Sequence, residues 1–187
     1  MRKFADDPRP WAVLASEHLF RKPPWLTVRQ ESVRLPSGNL IPEYWVHDYP
    51  PWVNVIALTR DQRVVLVRQY RHGVRQVHFE LPAGTIDEAD ASLEIAARRE
   101  LLEETGYGGG RWSFFMTLSA NPALTSNLIH TWLAEDVEAV APPSPEATED
   151  LRVHPVSRQE VRKIIDDGEM LQALHVAPLA RYLLSTS

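Results

Sequence analysis

Three glutamates crowd into five consecutive positions of the segment "RELLEETG", residues 99 to 106, which ends at a glycine. An α-helix turns by about 100° per residue, so Glu100, Glu103 and Glu104 would project from one arc of a helix surface. Neighbouring carboxylates repel and raise one another's pKa, which makes such an arc costly unless a cation neutralises it. The pattern therefore favours a helix that holds a hard divalent cation through its carboxylate oxygens.

The remaining side chains of this helix leave a second interpretation open. Alanines in the same arc leave room beside the acids, whereas Ile95 and Leu102 point the opposite way and are expected to form the buried stripe. In that arrangement the glutamates could also be a solvated helix face, with Arg99 and Glu103 as an i,i+4 ion pair. The sequence on either side of the helix decides between the two interpretations.

Composition narrows the classes of protein that fit. A chain of 187 residues with 44% hydrophobic residues can bury a sizeable core, which excludes a disordered protein. The net charge of -5 argues against a nucleic-acid surface, and the absence of cysteine excludes disulfides and zinc-thiolate sites. No segment has the pattern of a signal peptide or a membrane span. We expect a cytoplasmic protein that acts on small molecules, without a nucleic-acid or membrane partner.

Strand-like segments outnumber helical ones along the chain, which indicates a mixed α and β class. Turn residues at 36–39 separate two extended stretches and predict an antiparallel hairpin near the N-terminus. The continuous apolar runs at 52–59 and 63–70 predict a strand pair buried on both faces. Further strands are expected at 111–118, 127–135 and 151–156, and helices at 157–169, capped by Ser157, and at 171–184.

The segment "GTIDEADASLEIAARRELLEETGY", residues 84 to 107, resembles the Nudix box, a signature whose helical glutamates bind a divalent metal. Gly84 precedes Arg99 by fifteen residues, one more than in that signature. The first glutamate of the box therefore falls at Ala91, and only a one-residue insertion would let Asp90 take its place. The matching positions are Gly84, Arg99, Glu100, Leu101, Glu103, Glu104, Gly106 and, loosely, Tyr107.

Three further segments, "LVRQYRHG", "FELPAG" and "EDLRVHPVS", are similar to the ADP-ribose pyrophosphatase branch of the Nudix hydrolases. The resemblance implies an α/β (α+β) fold, the Nudix α/β/α sandwich with a mixed sheet, preceded by an N-terminal antiparallel strand region. It places a dimerising strand region at 1–50 and the hydrolase domain at 51–187. Members of this branch commonly exchange N-terminal segments, so a homodimer is expected. Apolar residues of the hairpin that would need a partner surface are Trp25, Leu26, Tyr44 and Trp45.

The same resemblance implies an activity. The implied reaction is hydrolysis of the diphosphate bond of ADP-ribose or a related nucleoside diphosphate sugar. It would depend on Mg²⁺, with Mn²⁺ as an alternative metal. The products would be a nucleoside monophosphate and a sugar phosphate. Alternative substrates are GDP-mannose, NADH, dinucleoside polyphosphates and damaged nucleoside triphosphates, and the alternative class is a module that senses a nucleotide without cleaving it. The retained box glutamates favour the enzyme, because catalytically silent relatives usually lose them.

Metal ligation is assigned by the resemblance to the three box glutamates and to the backbone carbonyl of Ala83. The alternative for the "LPAG" segment is that Pro82 and Gly84 only shape a turn. Arg99 is expected to serve catalysis by fixing the orientation of the glutamates. The predicted metal ligands are Ala83, Glu100, Glu103 and Glu104.

Substrate contacts are expected from residues outside the helix. Arg71 matches a position that contacts the diphosphate, and a guanidinium suits two phosphate oxygens, although a plain surface arginine is the alternative. Glu80 could ligate metal, orient Arg99 or form a simple salt bridge. Trp52 and Trp45 are candidates for stacking on the base.

The general base is expected on the acidic, proline-rich loop at 141–150. A carboxylate on a mobile loop can move in when substrate binds. Alignment of the segment "EDLRVH" puts Glu149 first and Glu146 second. The alternative is that this acidic loop is only solvated. The general base would then be supplied by the helix or by hydroxide bound to the metal.

Overall fold

A computed structural model describes residues 2–23 and 26–185, which form two compact units, Met1–Pro50 with Asn121–Asn127 and Pro51–Ala120 with Leu128–Ser187. The first unit contains a three-stranded antiparallel sheet in the order β1-β2-β3. Its strands are β1 Ala12–Lys22, β2 Leu26–Arg34 and β3 Leu40–Asp48.

The predicted N-terminal hairpin is confirmed, because β2 and β3 flank the turn at 36–39. Strand β1 was not predicted. Every one of its residues is exposed, so its sequence lacks the alternation that marks a half-buried strand. Tyr44 of β3 is already engaged within its own chain, since its hydroxyl donates to the Ala123 carbonyl at 2.6 Å. Trp25 lies outside the described residues.

The second unit carries the remaining strands and the three helices of the described chain. In chain order they are β4 Trp52–Thr59, β5 Val64–Arg71, β6 Gln76–Glu80, β7 Ala83–Thr85, α1 Leu93–Thr105, β8 Tyr107–Gly108, β9 Arg111–Leu118, β10 Ile129–Ala139, β11 Leu151–Val156, α2 Arg158–Asp166 and α3 Ala173–Ser185.

These strands form a mixed sheet in the order β11-β5-β4-β10-β8, with β6 on β5, β7 on β4 and β9 on β10. Strands β4 and β10 are parallel and the other pairs are antiparallel. The predicted pair β4 and β5 is joined only at Ala57–Val65 and Leu58–Val64. Beyond that point β4 pairs with β7 and β5 pairs with β6. The candidate site lies at this divergent end of the sheet.

Helices cover both faces of the sheet, which confirms the α/β/α sandwich. One core cluster packs α1 against the face of β4 that carries Val53, Val55 and Ala57. The other packs α2 and α3 against the opposite face, which carries Ile56 and Leu58. Strand β4 is therefore apolar on both sides, as its unbroken hydrophobic run predicts.

None of the helices in the described part of the chain is long and apolar enough to cross a membrane.

Helix α1 is capped at both ends, and it ends at the glycine that follows the three glutamates in the sequence. The Ser92 hydroxyl oxygen accepts from the Ile95 amide at 3.2 Å and caps the N-terminus. Gly106 closes the helix at φ +74°, in the left-handed region, and its amide donates to the Leu102 carbonyl at 2.8 Å. Loop 141–150 then starts directly over Gly106, whose carbonyl accepts from the amides of Val140 and Ala141.

The predicted orientation of α1 is wrong. Ile95 and Leu102 are 47% and 40% exposed, whereas Glu100 and Glu104 are buried together with the alanines and Leu101. Alanine side chains are small, so this face of the helix can approach the sheet closely, while Ile95 and Leu102 are left outside. Two of the three acids of the arc, Glu100 and Glu104, therefore face the sheet rather than solvent.

We expect Gly106→Ala to destabilise the protein more than Gly168→Ala, a matched control at φ +73° just after α2. Both changes place a side chain in the left-handed region, at a cost of about 1–2 kcal/mol. An added Cβ at Gly106 would also lie 2.1 Å from the Ala141 carbonyl oxygen, whereas the one at Gly168 meets nothing within 4 Å. Overpacking raises the expected loss for Gly106→Ala to about 2–5 kcal/mol in chemical unfolding. Equal losses for the two variants would contradict this packing.

Candidate active site

Helix α1 lies over strand β7 so that three helical side chains meet three successive strand residues. The Ala83 amide donates to Glu104 Oε2 at 3.0 Å. The next residue, Gly84, lies against the Glu100 carboxylate so closely that an added Cβ would fall 2.2 Å from its carboxyl carbon. Arg99 Nη2 then donates to the carbonyl of the third strand residue, Thr85, at 3.0 Å. The absence of a side chain at Gly84 is what admits the Glu100 carboxylate.

Arg99 joins the helix to the segment before it. Its Nη1 donates to Glu100 at 2.9 Å and to Glu103 at 3.0 Å, while Nε and Nη2 donate to Asp90 at 3.2 and 2.9 Å. The bonds with Asp90 raise the pKa of Arg99 and hold the pKa of the Asp90 carboxyl below its ordinary value. The sequence left the role of Asp90 open; the structure makes it the partner of Arg99, across the extra residue at Ala91.

Glu100 and Glu104 are not part of a solvated face, because they are only 8% and 1% exposed. Burial raises the pKa of Glu100 to about 7, against the opposing charge of Arg99. Burial also raises the pKa of Glu104 well above its ordinary value, although the Ala83 hydrogen bond acts in the other direction. The side chain of Glu103 is 42% exposed. Two of the three predicted metal ligands are thus buried carboxyl groups that resist ionisation.

Loop 141–150 brings Glu149 into electrostatic reach of these acids, and its charge contributes to the raised pKa values of Glu100 and Glu104. The beginning of the loop is tied to the helix, since the Ser144 amide donates to the Glu103 carbonyl at 2.8 Å. Glu146 shares a tight turn with Glu149: the Glu146 amide donates to the Glu149 carboxylate at 3.0 Å. This arrangement leaves Glu149, ahead of Glu146, as the loop acid coupled to the helix.

Arg71 ends β5 and forms a two-bond pair with Glu80 at the end of β6. Its Nε and Nη2 donate to the two carboxylate oxygens at 2.8 and 2.6 Å. Glu80 is 2% exposed, whereas the Arg71 side chain is 47% exposed. The suggestion that Glu80 orients Arg99 is wrong, because the two strand ends place Glu80 on Arg71 instead. The Nη1 group of Arg71 lies outside this pair.

A cavity of about 400 Å³ opens beside the Arg71–Glu80 pair. Its lining includes Trp52, Arg71, Val74, His78, Leu171 and Gln172. The indole nitrogen of Trp52 is buried without a hydrogen-bond partner. As a lining residue of this cavity, Trp52 lies beside Arg71 and Glu80. Trp45 lies on β3 of the other unit and is 42% exposed, and its role in base stacking stays a prediction.

The donor set fits a divalent cation in its chemistry. Carboxylate oxygens are the ligands that Mg²⁺ prefers, and the cradle at Gly84 holds Glu100 close to the backbone of Ala83. Mutual repulsion of the buried acids would be relieved by positive charge. Within the described residues no three histidine, aspartate or glutamate side chains already converge into a ligand cluster, and Arg99 holds Glu100 and Glu103. A cation would therefore compete with Arg99 for these oxygens.

Comparison with known proteins identifies the family. Residues 48–174 match the NUDIX domain. The chain belongs to the NUDIX family. Residues 11–47, which precede the NUDIX domain, match the nucleoside diphosphate sugar hydrolase N-terminal domain. The segment 84–107 lies within the matched range, and the expected enzyme class, a Nudix hydrolase, is confirmed.

Two relatives are both named ADP-ribose pyrophosphatase. The ADP-ribose pyrophosphatase of Bacillus subtilis is 29% identical over 145 residues, which cover 76% of this chain and 77% of that protein. The ADP-ribose pyrophosphatase of Mycobacterium tuberculosis is 27% identical over 153 residues, covering 80% and 72%. A crystal structure of an ADP compounds hydrolase superposes with a TM-score of 0.80 over 97% of this chain and 96% of its own. At 24% identity that likeness shows the fold alone.

We expect Gly84→Ala to move the Glu100 carboxylate without unfolding the protein, because the clashing atoms are the far end of a flexible side chain. Displacement toward solvent removes the burial that raises the pKa, so the pKa of Glu100 should fall from about 7 toward its ordinary 4.5. Carbon-13 NMR of labelled glutamate carboxyl groups measures this titration. Gly73→Ala is the control, since its Cβ meets nothing within 4 Å. An unchanged Glu100 titration in Gly84→Ala would show that Gly84 does not shape the site.

Proposed function

We propose that this Nudix hydrolase cleaves the diphosphate bond of ADP-ribose or a related nucleoside diphosphate sugar, releasing a nucleoside monophosphate and a sugar phosphate. The observation that carries the proposal is the buried pair Glu100 and Glu104 against the 83–85 backbone, with Arg71 and Glu149 in electrostatic reach. The match of residues 11–47 to a nucleoside diphosphate sugar hydrolase domain and the names of the relatives support the substrate class.

Mg²⁺, or Mn²⁺ in its place, is the proposed metal, and the residues that would hold it are Glu100, Glu103, Glu104 and the Ala83 carbonyl. A bound divalent cation neutralises diphosphate charge and stabilises the charge that develops on the leaving phosphate. Arg99 keeps the glutamate side chains oriented through its bonds to Glu100 and Glu103. Its anchor on Asp90 fixes the guanidinium in turn.

Arg71 is proposed to bind the diphosphate. Its Nε and Nη2 groups are held by Glu80, so Nη1 and the remaining Nη2 hydrogen can donate to phosphate oxygens. Glu149 is proposed to accept a proton from the attacking water. The water oxygen forms a new bond to phosphorus as the bridging P–O bond breaks, and the bridging oxygen leaves on the other phosphate. Glu146 supports this arrangement through the turn that it shares with Glu149.

A product screen tests the proposed function. The purified protein is incubated with Mg²⁺ and, separately, ADP-ribose, ADP-glucose, GDP-mannose, NADH and 8-oxo-dGTP, and the products are identified by mass spectrometry. We expect AMP and ribose 5-phosphate from ADP-ribose, or the matching pair from another nucleotide sugar. Chelation with EDTA should abolish turnover. A kcat/KM for 8-oxo-dGTP far above that for every nucleotide sugar would overturn the substrate class.

Glu104→Gln is the matched variant for this screen, because a glutamine amide oxygen can still accept the Ala83 hydrogen bond. The fold should persist while the negative charge is lost. Turnover is expected to fall by about 10²–10³, the usual loss when one electrostatic catalytic group is removed. Wild-type turnover in Glu104→Gln, or turnover that persists in EDTA, would exclude the metal-holding role.

We expect Glu149→Gln to lower kcat by about 10²–10⁴, the range for loss of a positioned proton acceptor, with little change in KM. Glu146→Gln is the control within the same loop. It should stay near wild-type kcat, because Glu146 contributes backbone groups to the shared turn. Steady-state kinetics on the best substrate of the screen measures both variants. If neither variant loses activity, the base is not on this loop.

We also propose that the protein is a homodimer joined through the sheet of the N-terminal unit. That sheet exposes several large apolar side chains, and contiguous exposed apolar surface marks association sites. The exposed residues are Trp11, Val13, Leu14, Leu19, Phe20, Leu40 and Trp45. Sedimentation at micromolar concentration should give twice the chain mass of 21.3 kDa. Leu14→Glu with Phe20→Glu should yield monomers, and a wild-type monomer would refute the proposal.

A further inference from the structure

A buried histidine lies below the Arg71–Glu80 pair and plays no part in the site as described so far. His175 is in the first turn of α3 and is 2% exposed. Two hydrogen bonds fix this turn, one at the residue before His175 and one at the His175 ring. Asn54 of β4 donates to the Leu174 carbonyl at 2.9 Å, and the Leu81 amide donates to His175 Nδ1 at 3.2 Å. The imidazole ring is thus held in one orientation.

The hydrogen bond from Leu81 decides which ring nitrogen carries the proton. A backbone amide can only donate, so Nδ1 of His175 must accept and carries no hydrogen. Burial lowers the pKa of His175 to about 4, which keeps the ring neutral near pH 7. The single ring proton is therefore on Nε2. That nitrogen lies 3.6 Å from Glu80 Oε2, an electrostatic contact that is longer than a hydrogen bond.

Glu80 is the link between this histidine and the surface. Its Oε2 atom also receives Arg71 Nη2 at 2.6 Å and Gln69 Nε2 at 3.5 Å. A buried carboxylate is held in place when donors satisfy its lone pairs, and the orientation of Glu80 sets the orientation of the two-bond pair with Arg71. The side chains of Glu80 and His175 are 2% and 3% exposed, so neither has water as a ready substitute. The chain of contacts runs from α3 through β6 to the exposed end of β5.

We propose that His175 is a positioning residue that sets the angle of the Arg71 guanidinium through Glu80. This proposal rests on the proposed function insofar as Arg71 is the group that binds the diphosphate. It assigns to α3, which contributes no residue to the site described above, the task of pre-orienting an anion-binding side chain. The neutral Nε2–H tautomer suits the task, because the N–H dipole lies beside Glu80 at 3.6 Å without competing with Arg71 as a second cation.

Kinetics on the best substrate of the screen tests the consequence for binding. His175→Leu replaces the ring with an apolar side chain of similar size and removes the Nε2–H group. We expect KM to rise by about tenfold, the lower end of the loss when a partner that orients a ligating side chain is removed. The kcat value should stay within about twofold, because a binding contact made equally in ground and transition states affects KM alone. His175→Gln, whose amide N–H group can take the place of the ring N–H beside Glu80, should restore most of the wild-type KM. Equal KM values in wild type and His175→Leu would overturn the proposal.

A double-mutant cycle separates positioning from a merely structural role. In an Arg71→Ala background, His175→Leu should raise KM no further, because there is no guanidinium left to orient. A tenfold rise in both backgrounds would mean that His175 acts on the fold and not on Arg71, and it would overturn the proposal.

Nitrogen-15 NMR of the wild-type protein tests the proposal independently of any substrate and of whether the variants fold. The His175 resonances should report the neutral Nε2–H tautomer from pH 5.5 to 8, and the Arg71 Nε–H should exchange slowly with water. A protonated ring, or the proton on Nδ1, would overturn the inference. If these signals appear as expected while no nucleotide sugar is cleaved, the proposed function fails and the His175–Glu80–Arg71 contact stands.

Discussion

The packing of the acidic face of α1 on the backbone of residues 83–85 is the contact on which the rest of the site depends. Glu104 accepts the Ala83 amide, Glu100 fills the space left by the missing side chain of Gly84, and Arg99 reaches Thr85. The strand is available there because β4 and β5 diverge after two residue pairs and β7 takes the free edge of β4. The charged groups of α1 are buried because the sheet topology exposes this strand, Gly84 has no side chain and the alanines of the helix allow close packing.

This arrangement has a thermodynamic consequence for the protein without metal. A carboxyl group whose pKa is higher in the folded than in the unfolded state favours folding when it is protonated. The contribution of Glu100 is therefore present at low pH and is lost as pH rises from its ordinary pKa of 4.5 toward about 7. At neutral pH the fold carries buried, mutually repelling acids that Arg99 only partly offsets. A cation that binds the folded state alone would offset the remainder.

Much of this fold could be predicted from the sequence because the signals are local. The glycine at 106 that ends α1 and the continuous apolar runs of β4 and β5 each follow from short-range chemistry. The orientation of α1 could not, because it depends on what the helix packs against: the alanine face approaches the sheet closely and leaves Ile95 exposed. Strand β1 was missed because it lies exposed along its whole length.

The same limit applies to the site. Helical spacing singled out the glutamates and the family resemblance singled out Arg71. The pairs Asp90–Arg99 and Glu80–Arg71, in contrast, form only when the segments fold together. Leu81 and His175 are 94 positions apart in the sequence, and no pattern in either segment predicts the hydrogen bond between them. The extra residue in the box is a partial exception. The extra residue moves the acidic position of the box from 91 to 90. The carboxylate of Asp90 still accepts a hydrogen bond from the guanidinium of Arg99.

Calorimetry of Mg²⁺ binding, repeated in buffers of different ionisation enthalpy, tests most directly whether these buried acids hold a cation. Carboxyl groups must be deprotonated to act as metal ligands, so binding should release protons from groups with raised pKa values. We predict clear proton release at pH 6.5, near the pKa of about 7 for Glu100, and less release at pH 8.5. Glu104→Gln should weaken binding and reduce the release. Mg²⁺ binding without any proton release at pH 6.5, or no binding at all, would contradict the account.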